Sequence, residues 1–243
     1  MSKSDAKTNI GLKRKLNQDM FFISDTPVGN LQNLYIVADG MGGHNAGDLA
    51  SRYTVEIMVE RIKVSNQPTP ERILLEAIEE ANRFVRQKAY ESPELYGMGT
   101  TVVAATFAGN HMLVANVGDS RLYLVGDTIE QITVDHSLVE EMVQMGGIDR
   151  AVARTHPDKN IITRAIGARD SVVPDFFHRI VEPGQLVLLC SDGLTNMVED
   201  EQIRNLVMGG GSISEKVDLL VDEANRNGGK DNISVIIADP FVE

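Results

Sequence analysis

The chain has 243 residues, of which 42% are hydrophobic and 24% are charged, and one large globular domain can reach this length. Its formal net charge of −12 argues against a nucleic-acid binder, which needs a basic surface. The single cysteine excludes an intramolecular disulfide, and no apolar run is long enough for a signal peptide or a membrane span, so we expect a cytoplasmic protein or a piece of a longer, membrane-tethered one.

The first third of the chain predicts two strands followed by two helices. Short apolar runs at 21–24 and 34–38 are typical of strands. Apolar residues recur with helical spacing over 46–62 and again over 71–89. Thr69 followed by Pro70 is a favourable start for the second helix.

The middle of the chain has the strongest strand pattern. Residues 100–107, 112–117 and 121–125 are apolar and β-branched, and Gly109-Asn110 and Gly126-Asp127 are tight-turn pairs that predict an antiparallel meander. The following segment starts as a helix with a capping box of Ser137 and Glu140, and then becomes polar and rich in turns. We expect it to leave the sheet.

The last third predicts strands at 172–173, 185–190 and 233–238, with helices near 201–208 and 215–224 between the last two. Ser212 and Glu215 form a second capping box. Strands and helices therefore alternate in blocks, which favours an α+β fold over strict βαβ repetition. Two antiparallel sheets with helices outside them would bury all of these apolar faces.

Five aspartates lie beside predicted strands: Asp19, Asp39, Asp119, Asp192 and Asp231. Asp39 and Asp192 each follow a long apolar run and precede a glycine, which lets a backbone and a cation come close. Carboxylates gathered in one place repel each other unless a cation lies between them, and oxygen ligands favour Mg²⁺ or Mn²⁺. The alternative is that Asp-Gly is simply a favourable turn pair, and the sequence alone leaves open whether the five converge.

Eight short segments between residues 14 and 234 contain these aspartates or lie between them. In order they are Arg14-x-x-Asn17-Gln18-Asp19, Val37-Ala38-Asp39-Gly40-Met41-Gly42-Gly43-His44, Gly99-Thr100-Thr101, Asn116-Val117-Gly118-Asp119-Ser120-Arg121, Asp135-His136-Ser137, Ile162-Thr163-Arg164-Ala165-Ile166-Gly167, Leu189-Cys190-Ser191-Asp192-Gly193-Leu194, and Lys230-Asp231-Asn232-Ile233-Ser234. Together they resemble, in order and over nearly the whole chain, the motifs of the metal-dependent protein phosphatases (the type 2C or PPM family), in particular its short bacterial members.

The resemblance implies an α+β fold, a four-layer αββα sandwich of two antiparallel sheets flanked by helices. Residues 1–243 would form one catalytic domain, with a flap at approximately 138–167 beside a metal cleft. The implied reaction is metal-dependent hydrolysis of phosphoserine and phosphothreonine in proteins by a metal-activated water, without a covalent intermediate. It would use two or three divalent cations, Mn²⁺ or Mg²⁺, and phosphoprotein substrates, with serine/threonine kinases as natural candidates among these partners.

The resemblance also implies residue roles. Asp39, the Gly40 carbonyl, Asp192 and Asp231 would bind two metals, and Asp119 with Asp192 would bind a weaker third one. Asp19 and Asp39 would be catalytic, with Asp19 orienting water, and Arg14 would bind the substrate phosphate. Two other functions remain open: a pseudophosphatase that serves as a binding module, and a metal hydrolase of small phosphoesters.

The chain departs from many eukaryotic relatives at Met41, where they have a histidine thought to protonate the leaving group. His44 is an alternative acid, or else a loop or substrate contact. His136 is interpreted as a structural hydrogen-bonding residue rather than a catalytic one. Arg164 is either a partner for a carboxylate or an ordinary surface charge. We expect Cys190, within an apolar run, to be a core residue.

Three cations of the expected flap, Arg150, Arg154 and Lys159, either contact a phosphoprotein or belong to a solvated charged loop. The sequence does not separate these two interpretations. It also contains no Walker or kinase glycine loop, which argues against a nucleotide-binding protein.

Overall fold

The computed structural model of the chain describes residues 3–42 and 46–241. The strands in this part are β1 (Lys3–Asn9), β2 (Asp19–Ser24), β3 (Leu34–Met41), β4 (Gly99–Thr100), β5 (Val102–Ala108), β6 (His111–Val117), β7 (Arg121–Val125), β8 (Ile129–Gln131), β9 (Asp175–Ile180), β10 (Leu186–Cys190) and β11 (Ile233–Asp239). The helices are α1 (Ala46–Val64), α2 (Pro70–Glu91), α3 (Leu138–Gln144), α4 (Arg150–Ala153), α5 (Asp192–Thr195), α6 (Asp200–Met208) and α7 (Ile213–Arg226).

The strands form two antiparallel sheets. The first sheet has the order β1-β11-β10-β7-β8, and the second has the order β2-β3-β5-β6-β9 with the short β4 paired to β3. β6 ends in the second sheet and β7 begins in the first, so the chain crosses between the sheets at residues 118–120. The predicted α+β class and antiparallel pairing are confirmed.

Three buried layers hold the sheets and helices together, and the alternation of side chains along each strand explains them. In β3, Leu34 and Ile36 face the layer that packs against α1 and α2, whereas Tyr35 and Val37 face the layer between the two sheets. β10 alternates in the same way between the inter-sheet layer and the layer under α5, α6 and α7. Both faces of these strands are therefore buried, which explains their uninterrupted apolar runs.

Cys190 lies in the layer under the C-terminal helices and is fully buried. Removal from water raises the pKa of its thiol, so the neutral form is favoured. The cysteine is a core residue, as the sequence predicts.

The C-terminal strands differ from the prediction at one point. Residues 172–173 are not in a strand, and the strand of this region, β9, begins at Asp175 and pairs with β6.

Two further strands, β1 and β8, were not predicted. β1 is an edge strand with the polar sequence KSDAKTN, and its one neighbour in the sheet is β11. An edge strand of this kind carries no apolar alternation that would identify it.

The helix starts largely follow the predicted caps. The Thr69 side chain accepts a hydrogen bond from the backbone N–H of Arg72, and Ser212 with Glu215 forms a reciprocal capping box. The predicted box at Ser137 is only half formed. The Ser137 hydroxyl accepts from the backbone of Glu140, but the Glu140 carboxylate binds Arg150 instead of reaching back. None of the described helices has the length and apolar character needed to cross a membrane.

Candidate active site

Two of the predicted aspartates, Asp19 and Asp39, lie directly opposite each other on β2 and β3. The backbone of Asp39 is held on both sides: its N–H donates to Thr101 Oγ1 at 3.0 Å, and its carbonyl accepts from the Thr100 hydroxyl at 2.8 Å and the Thr101 N–H at 2.9 Å. Asp39 therefore lies within a strand that continues to Met41, rather than at its end.

Asp192 and Asp231 come from the other sheet. Asp192 opens the short helix α5 and is separated from β10 by Ser191, and Asp231 is separated from the start of β11 by Asn232. A Cβ atom added to Gly193 would lie 1.8 Å from the carbonyl oxygen of Asn232, so only glycine permits this approach of α5 to the start of β11. Helix α5 was not predicted from the sequence.

A buried serine joins the two sheets at this point. Ser191 donates its hydroxyl hydrogen to Asp19 Oδ2 at 2.8 Å and accepts a hydrogen bond from the Ser234 N–H at 3.0 Å. Gly40 is equally constrained on the other side, because an added Cβ would lie 2.0 Å from the carbonyl oxygen of Gly47. The Ser191 contacts link Asp19 of one sheet to Ser234 of β11 in the other, and the Gly40 contact packs β3 against α1.

Asp119 lies in the crossing between β6 and β7, and His136 supports this crossing. The Gly118 N–H donates to His136 Nδ1 at 3.0 Å, so Nε2 carries the hydrogen and donates to Asp175 at 3.0 Å. Burial lowers the pKa of His136, which favours this neutral form. Arg164 binds the same Asp175 at 2.6 Å. His136 is thus a structural hydrogen-bonding residue. The carboxylate that Arg164 binds is that of Asp175, which is not one of the five aspartates.

The electrostatics show that the five aspartates are close together. Burial raises the pKa of Asp19 to about 7 and that of Asp192 to about 6, and the charge of Asp231 adds to both shifts. Burial, followed by the charges of the other four, holds the pKa of Asp39 well above its ordinary value. The pKa of Asp119 is raised by burial and by the charge of Asp192. Burial, together with repulsion between the carboxylates, therefore favours the neutral forms of Asp19, Asp39, Asp119 and Asp192.

The donor set fits a hard divalent cation. All five groups offer oxygen, and two of these oxygens, Asp19 Oδ1 and Asp192 Oδ1, are buried without a hydrogen-bond partner among the described residues. A cation would give such oxygens a partner and remove the repulsion. As they stand, however, no three His, Cys, Asp or Glu side chains of residues 3–42 and 46–241 are arranged as a ready-made metal site.

Arg14 lies at the edge of this cluster on the loop between β1 and β2, and its guanidinium binds Asp231 at 2.7 Å. The Asn232 side chain holds both ends of this loop, because it donates to the carbonyl oxygens of Ile10 at 2.9 Å and Leu16 at 3.0 Å. Half of the Arg14 side chain is exposed. The predicted phosphate ligand is therefore beside the aspartates and accessible.

The segment that follows α3 forms one wall of a cleft of about 490 Å³ beside Asp119 and Asp192. Its three cations are all anchored. Arg150 binds Glu140 at 2.9 Å, Arg154 binds Glu199 at 2.8 Å, and Lys159 donates to Asn196 Oδ1 at 2.7 Å. The Arg150 side chain is nevertheless 68% exposed, so these contacts order a charged loop that still faces solvent.

Some site predictions remain untested, and some contacts were missed. His44 lies outside the described residues. Met41 ends β3 opposite Gly99. The supporting residues Ser191, Thr101 and Asn196 received no role from the sequence, because a serine, threonine or asparagine beside an aspartate is common and only the fold shows what it contacts.

Comparison with known protein families gives one match that spans most of the chain. Residues 13–228 match the family model described as Protein phosphatase 2C. The chain is 40% identical to the serine/threonine phosphatase stp of Listeria welshimeri, over 97% of this chain and 95% of that protein. It is 38% identical to the protein phosphatase PhpP of Streptococcus pneumoniae strain D39, over 95% of this chain and 94% of that protein.

Solved structures with the same fold agree with these matches. The crystal structure of the serine/threonine phosphatase Stp1 from Staphylococcus aureus superposes with a TM-score of 0.92 at 36% identity, over 100% of this chain and 96% of that chain. The catalytic domain of the serine/threonine protein phosphatase PstP, in complex with two manganese ions, superposes with a TM-score of 0.85 at 33% identity, over 98% and 97% of the two chains.

Proposed function

Because the chain belongs to the protein phosphatase 2C family, we propose that it hydrolyses phosphoserine and phosphothreonine in proteins with a metal-activated water and no covalent intermediate. The chain is a protein serine/threonine phosphatase of this family. The observation that best supports the proposed mechanism is the set of five neighbouring carboxylates, four of which, Asp19, Asp39, Asp119 and Asp192, have raised pKa values. Two of their buried oxygens lack a hydrogen-bond partner among the described residues.

The cations that we propose are two or three Mn²⁺ or Mg²⁺ ions. Asp39, the Gly40 carbonyl, Asp192 and Asp231 would hold two of them, and Asp119 with Asp192 would hold a weaker third. When bound, such cations lower the pKa of a coordinated water and neutralise charge on phosphoryl oxygens. PstP, a structural relative, binds two manganese ions, which supports this assignment.

The chain's own residues position the reactants. Asp19 is held by the Ser191 hydroxyl through one oxygen and has its other oxygen free to orient a water. Arg14 presents a planar pair of N–H donors, which matches the oxygens of a carboxylate or of a phosphate. The guanidinium binds the Asp231 carboxylate in this structure, and a substrate phosphate would compete with that carboxylate for the same donors. Phosphoproteins are the proposed substrates, with phosphorylated serine/threonine kinases as candidates among them.

The deciding experiment is hydrolysis of a phosphothreonine peptide by the purified protein with Mn²⁺, with Mg²⁺ and with excess EDTA. We expect activity with either metal and none with EDTA. A folded protein with no activity under any of these conditions would contradict the proposal and favour a pseudophosphatase. A small phosphoester assayed in parallel should be a poorer substrate than the peptide; the reverse order would favour a small-phosphoester hydrolase.

Arg14→Ala is expected to raise KM for the phosphopeptide by about tenfold to a hundredfold, because a charge-assisted hydrogen bond contributes about 1.5–3 kcal/mol. The turnover number should fall less. Steady-state kinetics measure both, and Lys13→Ala is the matched control, since Lys13 is a neighbouring exposed cation on the same loop. A lower kcat at unchanged KM would show that Arg14 acts in the chemical step instead.

Asp119→Ala is expected to leave two bound Mn²⁺ ions and to lower turnover, because Asp119 is proposed only for the weaker third site. Bound Mn²⁺ is counted by electron paramagnetic resonance, and turnover is measured on the same samples. Asp127→Asn, at an exposed turn after β7, is the control. Unchanged kinetics in Asp119→Ala would remove the third site from the mechanism.

A further inference from the structure

Asn196 connects two residues that lie on different elements. Its Nδ2 donates to Asp192 Oδ2 at 2.8 Å, and its Oδ1 accepts from Lys159 Nζ at 2.7 Å. Only one orientation of the amide serves both partners, because the carboxylate needs a donor and the ammonium needs an acceptor. The amide of Asn196 is therefore fixed from both sides.

The Asp192 side chain depends on this contact. Its backbone is already constrained, since α5 packs at Gly193 against the carbonyl of Asn232 and the Asn196 N–H donates to the Asp192 carbonyl at 2.8 Å. The remaining freedom is rotation of the carboxyl group. Asn196 holds one oxygen, which leaves Oδ1 buried and without a hydrogen-bond partner in the described part of the chain.

Lys159 approaches Asn196 from the segment after α4. Desolvation lowers its pKa, partly offset by the charge of Asp192, and no carboxylate of the described residues lies within ion-pair distance of its ammonium group. Arg154 anchors the same segment, donating to the carbonyl of Val198 at 3.2 Å and binding Glu199 at 2.8 Å. The contacts of Arg154 thus hold the segment that carries Lys159, and Lys159 itself is bound to Asn196.

We propose that Asn196 is a positioning residue that orients the Asp192 carboxylate toward the divalent cation, and that Lys159 in turn orients Asn196. The inference rests on the proposed function, in which Asp192 binds metal. Hydrogen bonds to a ligating carboxylate fix its rotamer before the metal arrives, and loss of such a partner typically lowers metal affinity about 10-fold to 100-fold. Asn196 carries no formal charge, so its removal tests orientation without changing the net charge of the cluster.

The test is a Mn²⁺ titration of the purified full chain, with free Mn²⁺ measured by electron paramagnetic resonance. Asn196→Ala is expected to weaken at least one site about tenfold or more. Asn205→Ala, an exposed asparagine on the neighbouring helix α6, is the matched control and should bind as the wild type does. Thermal unfolding in EDTA checks that Asn196→Ala is folded. Wild-type affinity in a folded Asn196→Ala protein would overturn the inference.

The part played by Lys159 is tested by a double-mutant cycle with Lys159→Met. If Lys159 acts through Asn196, Lys159→Met changes Mn²⁺ affinity in the wild-type background and has little effect in Asn196→Ala. An equal change in both backgrounds would show a direct effect of the lysine charge, and no change in either would show no role; both results overturn this part of the inference.

The same titration separates this inference from the proposed function. A wild-type protein that binds no Mn²⁺ would contradict the proposed metal mechanism itself. A wild-type protein that binds Mn²⁺ with an affinity that Asn196→Ala retains, and that Asp192→Ala loses, would overturn only the role of Asn196.

Discussion

Asp39→Asn is expected to lower metal-dependent turnover roughly a thousandfold or more, because a catalytic metal contributes several kcal/mol of transition-state stabilisation. Asp39 lies opposite Asp19 in the sheet, and the charges of all four other aspartates act on it. It is therefore the carboxylate most central to the cluster. Asparagine keeps the shape of the side chain and removes the negative charge that a metal-binding carboxylate supplies.

The measurement compares turnover and Mn²⁺ binding of Asp39→Asn with those of Asp127→Asn, which removes a carboxylate from an exposed turn. In EDTA the Asp39→Asn protein should be at least as stable as the wild type, since it loses a like-charge repulsion. Retained turnover would remove Asp39 from the metal site. Lost turnover together with lost folding would leave the assignment without support, so circular dichroism belongs to the same experiment.

The sequence predicted the strands that are buried on both faces, because such strands leave a continuous apolar run. The runs at 34–38 and 185–190 became β3 and β10, and both carry an aspartate at or beyond the end of the run. The apolar pattern did not predict strands that are polar or very short. β1 is a polar edge strand, and β8 has three residues. Of the apolar pair at 172–173, Val172 packs into the core and Val173 is exposed, and neither joins a sheet.

The convergence of the site could not be derived from local pattern alone. Asp19 and Asp39 meet because β2 and β3 pair in one register, and a shift of one residue would place them on opposite faces. Ser191 contacts Asp19, which is 172 residues away in sequence, and Asn196 contacts Asp192, which is 4 residues away. Nothing in their residue type distinguishes them from other serines and asparagines of the chain. The motif resemblance supplied the candidates, and the structure supplied their supporting contacts.

Metal-free protein is expected to lose stability as pH rises from about 4.5 to about 8, by an amount on the order of several kcal/mol. Burial raises the pKa of Asp192 to about 6 and that of Asp19 to about 7, against ordinary values of 3.8. Over this range the folded protein binds more protons than the unfolded chain. The corresponding stability is therefore present below pH 3.8 and is lost as pH rises through the folded pKa values.

Glu76 and His136 change stability with pH in the opposite direction, and each does so over a different pH range. Hydrogen bonds from Ser65 and Arg61 lower the pKa of Glu76. The stability that Glu76 contributes is therefore lost only at pH values below this range, as pH falls through the pKa of Glu76 in the folded protein. Burial lowers the pKa of His136 from 6.5, so it destabilises the fold as pH falls below 6.5. This one histidine is set against four carboxylates with raised pKa values, and the net loss toward higher pH should remain.

Urea unfolding in EDTA across this pH range measures the effect, and the same series with Mn²⁺ supplies the comparison. Saturating Mn²⁺ should restore most stability at the higher pH, by about 2.7 kcal/mol per site at a hundredfold excess over Kd. Asp39→Asn should show a shallower pH dependence in EDTA, because it carries one fewer buried charge. Stability of the metal-free protein that stays constant, or rises, between about pH 4.5 and 8 would contradict the prediction. It would mean that the carboxylates do not repel one another, although relief of that repulsion is what a cation bound between them should supply.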